Sequence, residues 1–431
     1  MKKAAKTILS FLIVFIITVT LAEIFSPVIF SGISNLDYDK REIANRLKGT
    51  ASAIDSSDFS ESSFASFIEN KALHPYLGFV IDTSKALSER ADYYGFSGTE
   101  GILQDQDETI KIVISGGSVA YELAEDYQER IIERLEESQK FKGKKIRIFN
   151  LAMGGYKQPQ QLMALNYFLS LGARFDIWVN LDGFNEITLP IAENHREKVA
   201  FSYPRLWNIY ARKSLTRHEI DKILQIAQTR QSRAKLASLL NGSIFKSSSF
   251  FLTSWALYDQ KLVNKEYKLN KELYDIPPSE NHPYQTSGPF STTSSWQETQ
   301  KKSIALWKRT SSLMANICYI EGIDFFHFLQ PNQYLKGSKQ LTEEEKLIAY
   351  ESGSFDYKFL VETGYPILID EGHKILEQGA YPFIDLTMMF RSEDRSVYAD
   401  KCCHFNEMGY NLIAERISEA ILSRPKHSKN F

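Results

Sequence analysis

Three times in succession, an apolar run of strand length ends in a turn of small or polar residues and gives way to an amphipathic stretch. Ile110 to Ile114 runs into Ser115-Gly116-Gly117-Ser118, Ile146 to Leu151 into Ala152-Met153-Gly154-Gly155, and Ile177 to Leu181 into Asp182-Gly183-Phe184-Asn185-Glu186. Runs this short and this apolar read as buried strands, and the helical stretches between them supply the crossovers that parallel strands require. The predicted class is α/β, built from βαβ units around a parallel sheet. All three turns fall at the carboxyl ends of their strands, the edge where open sheets of this class place their ligand sites.

The alternation stops after the third strand. From about 189 to 295 the chain reads as helical and polar, with a Pro/Ser/Thr-rich end between Pro277 and Ser295, and is predicted to be an insertion. It leaves the sheet at the edge of the three turns, a position that suits either a cap over the site or a solvated decoration. Its cationic residues between Arg205 and Lys235 have the spacing of a wet helix face, and no ligand is assigned to them. The pattern then resumes with a helix around Ile304 to Tyr319 and a strand at Asp324 to Leu329. Helices near Glu343 to Tyr350 and Phe359 to Leu376, a strand at Phe383 to Met388 and a final helix from Glu407 through Ile421 complete it.

Ahead of the sheet, 31 to 108 reads as a stalk and lead-in, rich in Ser and Asp, with one apolar patch at His74-Pro75-Tyr76-Leu77-Gly78-Phe79-Val80. Residues 1 to 30 read as an export segment, in which Lys2, Lys3 and Lys6 precede an uncharged run from Thr7 to Ala22. That run is shorter than the roughly 20 residues of a spanning helix, and Thr20-Leu21-Ala22 has the form of a cleavage site. Ile24, Phe25, Val28, Ile29 and Phe30 extend it past Glu23, whose carboxylate an interfacial position would tolerate. The expectation is an uncleaved single-pass anchor in the cell membrane, with cleavage and secretion as the alternative. In both cases the lysines stay inside and the remainder, 31 to 431, crosses to the extracytoplasmic side.

A formal net charge of −2 with no long basic or acidic run lacks the electrostatic footprint of a nucleic-acid binder. The three cysteines, Cys318, Cys402 and Cys403, do not have the CxxC spacing of a zinc site. An exported chain admits one disulfide, Cys318 with Cys402 or Cys403; three buried thiols are the alternative.

A serine hydroxyl becomes a competent nucleophile when an imidazole accepts its proton and a carboxylate fixes that imidazole, with amide donors to receive the oxyanion. Ser118 follows two glycines at a strand-to-helix switch, where its amide can point into the cleft. Taken alone, this is a plain turn or a phosphate loop, and no Lys-Ser/Thr pair follows to support the latter. Gly155 suits an amide donor or a simple turn, and Asn185 a side-chain donor or a helix N-cap. Asp400-Lys401-Cys402-Cys403-His404 precedes the final helix. Among the other histidines, His327 lies inside an apolar strand and reads as packed. His74, His195, His218, His282, His373 and His427 have neither a neighbouring aspartate nor a strand-end position.

Taken in this order, the serine, glycine, asparagine and Asp…His blocks resemble the SGNH (GDSL-like) hydrolase family, in particular its exported, membrane-anchored bacterial branch. The resemblance runs from about Thr109 to Ile421, interrupted by the insertion. It implies a three-layer α/β/α flavodoxin-like sandwich, with Ser118 as nucleophile, His404 as base and Asp400 as orienting carboxylate. The implied oxyanion hole is Ser118, Gly155 and Asn185. Three departures stand out: the family's Gly-Asp-Ser is here Gly116-Gly117-Ser118, the carboxylate lies four residues before the histidine rather than three, and the acid after the asparagine is Glu186. Phe328-Leu329-Gln330-Pro331-Asn332-Gln333 is also similar to members linked to envelope polysaccharides. The implied activity is a serine esterase acting on an acetyl or other short O-acyl ester of a cell-envelope glycan or lipid, with no metal or organic cofactor. An O-acyltransferase modifying an exported polysaccharide would use the same triad. A noncatalytic envelope-binding module would follow if the shifted Asp400 broke it.

Overall fold

The computed structural model describes residues 20–33, 38–55, 70–84, 91–104, 108–211, 217–274, 284–289, 293–350, 357–377 and 381–424. The chain forms two compact units, one from 70–213 and 278–431, the other from 1–69 and 214–277.

The larger unit is α/β. A short antiparallel hairpin, β1 (Lys71–His74) and β2 (Gly78–Ile81), precedes a five-stranded parallel sheet of β3 (Thr109–Gly116), β4 (Lys145–Asn150), β5 (Ile177–Asp182), β6 (Asp324–Leu329) and β7 (Phe383–Asp385). The sheet order is β4-β3-β5-β6-β7. Counted along the chain this is the 2-1-3-4-5 order of flavodoxin-like sheets, whose topological switch lies between β3 and β5. The sequence-predicted strands are found to within two residues except the last. β7 stops at Asp385 because that side chain turns back to accept the amide of Thr387 at 2.8 Å, closing an Asx turn.

Helices cover both faces. They are α1 (Ser118–Asp126), α2 (Gln128–Glu136), α3 (Gln160–Ser170), α4 (Phe184–Leu189), α5 (Trp296–Ile320), α6 (Tyr357–Glu377) and α7 (Glu407–Ser423). The amphipathic stretch after Ser118 is not one continuous helix, since the chain breaks at Tyr127 into α1 and α2. Successive residues of a strand face opposite layers. On β6, His327 meets Ser311 of α5, whereas Phe326 lies under the Arg424 guanidinium at the end of α7, 5.5 Å from ring to charge. All six residues of β5 are buried, as befits the central strand.

Two expectations change here. The second half of the predicted stalk belongs to the sheet unit: Leu77 and Phe79 are buried, and their carbonyls accept from Gln160 Nε2 at 2.8 Å and the Tyr156 hydroxyl at 2.6 Å. The predicted insertion divides, since 189–213 and 278–295 stay with the sheet and only 214–277 joins the other unit.

The smaller unit is helical. Its core joins Phe30, Ile43, Leu47 and Ala51 to Ala237, Leu252, Trp255 and Ala256, so the helix Lys40–Asp55 packs against the long helices Arg217–Asn241 and Ser249–Tyr274. Arg230 and Arg233, among the cations read from sequence as a wet face, instead tie the two long helices together. Arg233 pairs with Asp259 at 2.7 Å and with Glu266 at 3.2 Å, and Arg230 pairs with Glu266 at 2.5 Å. Among the described residues no helix is long and apolar enough to cross a membrane. Residues 1–19 of the predicted anchor lie outside them.

Candidate active site

The carboxyl ends of β3, β4 and β5 meet at the switch point, and the loop that precedes α7 arrives there from the far end of the chain. Ser118 opens α1 immediately after β3, and its Oγ lies 2.7 Å from His404 Nε2. The other ring nitrogen, Nδ1, lies 2.5 Å from Asp400 Oδ2. A carboxylate only accepts, so Nδ1 carries a hydrogen, and in the neutral ring Nε2 is left to accept from the serine.

The four-residue spacing is accommodated by the loop. Asp400 Oδ1 accepts the backbone amides of Cys402 at 2.9 Å, Cys403 at 3.0 Å and His404 at 3.2 Å, so the extra residue is wound around the carboxylate. The segment after β6 grips the same loop from outside. Asn332 Nδ2 donates to the Cys402 carbonyl at 3.2 Å, the Tyr334 hydroxyl to that of Lys401 at 2.7 Å, and Gln333 Nε2 to that of Asp400 at 2.9 Å. This gives a structural part to residues that sequence reading placed only by resemblance.

Donors gather beside Ser118. Among the described residues no acceptor takes the amide of Ser118 or of Gly155. Asn185 Nδ2 donates to the Tyr156 carbonyl at 2.8 Å, which uses one of its two hydrogens. The same amide nitrogen would lie 2.3 Å from a Cβ on residue 117, so a side chain in place of Gly117 would displace the Asn185 amide. Gly155 has a φ of +79°, and a Cβ there would lie 2.1 Å from Cδ of Arg205. Arg205 is braced in turn by Glu193, with Nε 3.1 Å from a carboxylate oxygen.

One nearby residue escaped sequence reading. Glu122 lies one turn along α1 from Ser118, with Oε1 3.7 Å from His404 Nε2 and Oε2 accepting the Tyr410 hydroxyl at 2.5 Å. The i, i+4 spacing on one helix face was its only signal. Burial works to lower the His404 pKa, but the Asp400 carboxylate, with smaller help from Cys402 and Glu122, pushes it up to about 10. Burial works against the Asp400 charge too, and His404 with the loop amides overrides it, bringing the carboxyl down to about 2.

Glu186 stands outside the chemistry. It is buried, accepting the amides of Gly183 at 2.8 Å and Gln158 at 3.2 Å, and burial followed by the charge of Asp182 raises its pKa to about 8. A second Ser-His-Asp chain runs through the core. His327 Nε2 lies 2.8 Å from Asp182 Oδ1, and its Nδ1 2.7 Å from Ser311 Oγ. Trp307 Nε1 and Asn180 Nδ2 also donate to Asp182, and the Tyr381 hydroxyl to Ser311. His327 is 0% exposed, so this chain is packing, as its strand position predicts.

The predicted disulfide is not formed, and all three cysteines are free. Cys318 lies at the amino end of β6, where its carbonyl accepts the Ile323 amide at 2.7 Å, while the Cys402 carbonyl is held by Asn332 beyond the carboxyl end. A six-residue strand separates them by about 20 Å, far beyond the roughly 7 Å that a disulfide spans between Cα atoms. Cys402 and Cys403 are instead neighbours, with sulfurs 3.0 Å apart. Together with His404 they bring three metal-capable atoms within 4.8 Å of one another. Both imidazole nitrogens are already engaged by Ser118 and Asp400, so an ion there would have to take His404 out of that chain of contacts.

No protein-family model matches the chain, and no curated protein matches it. Among solved structures, it is similar to a Bacteroides fragilis protein described provisionally as an acylhydrolase. The likeness covers 74% of this chain and 88% of that one, at 10% identity and a TM-score of 0.31, too loose to decide fold or chemistry.

Proposed function

We propose that the chain is a serine esterase of the SGNH type that removes an O-acyl group, acetyl foremost, from a cell-envelope glycan or lipid on the outer side of the membrane. The observation that carries this reading is the continuous line Asp400–His404–Ser118, with the amides of Ser118 and Gly155 and the side chain of Asn185 at its end. In the first half-reaction the Ser118 proton passes to His404 Nε2 as Oγ bonds the acyl carbon, and the carbonyl oxygen takes up negative charge facing those donors. Collapse expels the alcohol, which leaves with the proton from His404. Water, deprotonated by the same nitrogen, then cleaves the acyl-enzyme and frees Ser118.

The test treats the full chain and its Ser118→Ala and His404→Ala variants with a fluorophosphonate probe and with p-nitrophenyl acetate. Labelling and release by the wild type, with both abolished in Ser118→Ala and release lost in His404→Ala, is the expected result. A wild type that neither labels nor releases would falsify the esterase reading and return the fold to a binding role. Labelled acetyl that accumulates on added glycan in place of free acetate would replace hydrolysis with transfer.

A further inference from the structure

We propose that the turn joining the two long helices of the smaller unit is a membrane-contact surface, seated in the lipid interface beside the N-terminal anchor. The inference rests on the anchor reading of 1–30 and is independent of the esterase chemistry.

The turn displays an apolar tip. Ile244 is 90% exposed and Phe245 47%, and Phe250 and Phe251 are exposed beside them. Their rings touch one another, Phe245 with Phe251 at 4.6 Å between centroids and Phe250 with Phe251 at 5.4 Å, and all of them stay exposed among the described residues. Lys246 is exposed in the same turn. Large exposed side chains with a lysine among them are what an interfacial segment presents to acyl chains and phosphates.

Glu23 fixes where this tip lies. Its carboxylate accepts the Ser248 hydroxyl and, at 2.7 Å, the Ser249 amide, so it caps the helix Ser249–Tyr274 from outside. Burial opposes the charge on Glu23, but these donors outweigh it and lower its pKa. Leu21, Ile24, Phe25, Val28 and Ile29, on the helical residues 20–33 that carry Glu23, are exposed too.

The preceding sequence says what covers both surfaces. The uncharged run from Thr7 to Ala22, carried as a helix at 1.5 Å per residue, spans about 24 Å, short of the roughly 30 Å of hydrocarbon. An anchor of that length would complete the crossing by drawing Glu23 and its apolar neighbours into the interface. A carboxylate at that depth needs donors, and the turn that supplies them brings Ile244, Phe245, Phe250 and Phe251 to the same level. One carboxylate therefore explains both its own place in an apolar run and the exposure of the tip.

The test reconstitutes the full wild-type chain in phosphatidylethanolamine and phosphatidylglycerol vesicles containing a phospholipid with a diazirine close to its acyl carbonyl. After illumination, lipid adducts are mapped by peptide mass spectrometry. Adducts on the 241–254 region as well as on 20–33, at several-fold higher yield than on the region around Tyr267, are the expected result. Adducts confined to 1–33 overturn the proposal and assign the tip to another occupant, such as a second protein or the N-terminal segment itself. A chain that begins after Ala22 overturns it as well, because the anchor would then be gone.

Discussion

Gln333 donates its side-chain amide to the carbonyl of Asp400 at 2.9 Å and to that of Ala349 at 3.1 Å, so one residue after β6 ties the loop that orients His404 to the body of the sheet unit. Asp400 is thus held twice, by three loop amides on its carboxylate and by Gln333 on its backbone. A carboxylate whose position is fixed before substrate arrives need not be reorganised during proton transfer.

Gln333→Ala leaves the Asp400 carbonyl without this donor. A neutral hydrogen bond contributes about 1 kcal/mol net, so kcat is expected to fall roughly three- to tenfold. KM for a small ester should change little, since Gln333 does not reach Ser118. Steady-state kinetics on p-nitrophenyl acetate separates the two, and a change in KM alone would place Gln333 in substrate binding.

The raised pKa of His404 sets opposite pH dependences for activity and stability. The base must be neutral to accept the Ser118 proton, so kcat/KM is expected to climb about tenfold per pH unit below the pKa and to level off near pH 10. Asp400→Asn should move that rise toward 6.5, the ordinary imidazole value, and lower the plateau by about 10⁴. Glu122→Gln should move it the same way by less. For stability, the His404 contribution is complete below 6.5 and is lost as pH rises through 10. That of Asp400 is present above 3.8 and is lost as pH falls through 2. The pair therefore stabilises the fold most between those two ordinary values, where the enzyme is slow. A pH–rate profile beside thermal melts at each pH checks both signs.

Gly155→Ala adds a Cβ against Arg205 at a positive φ, and relief requires the turn to rotate and carry the residue 155 amide away from Ser118. A lost oxyanion donor costs about 10²–10³ in rate, and that fall in kcat is expected with the fluorophosphonate label on Ser118 still detectable. Unchanged kcat would remove Gly155 from the oxyanion site.

The buried Ser-His-Asp chain gives a control for the exposed one. Asp182→Ala strips the acceptor from a fully enclosed imidazole and an indole, and each buried donor left unsatisfied costs about 1–3 kcal/mol. Thermal or urea unfolding should show that loss. Ser311→Ala, in contrast, should keep full fluorophosphonate labelling in its folded fraction. Loss of label there would mean that the probe reads the core serine.

The sheet was legible because each strand is an apolar run bounded by turn residues, a pattern that survives without neighbours. Ser118 and His404 were legible through the order of their blocks. Glu122 was not, since a glutamate on a helix surface is ordinary until the fold brings His404 to it. β1 and β2 were missed because strands of four residues around Pro75-Tyr76-Leu77 carry too few alternations to register. Arg230 and Arg233 looked solvated because their partners, Asp259 and Glu266, lie on a different helix. The disulfide expectation failed for a related reason: spacing along a chain gives no hint of which end of a strand a cysteine occupies.

The discontinuous helical unit also has a calendar. Lys40–Asp55 leaves the ribosome on the order of 160 residues before the first of its partners, Arg217–Asn241, an interval of about 8–30 s at about 5–20 residues per second. During that interval Ile43 and Leu47 have no long helices to close over them, while the first three strands of the sheet are already being made. Conditions that slow delivery of 217–274 should therefore leave the earliest-made helix as the part of the chain most exposed to proteases and chaperones.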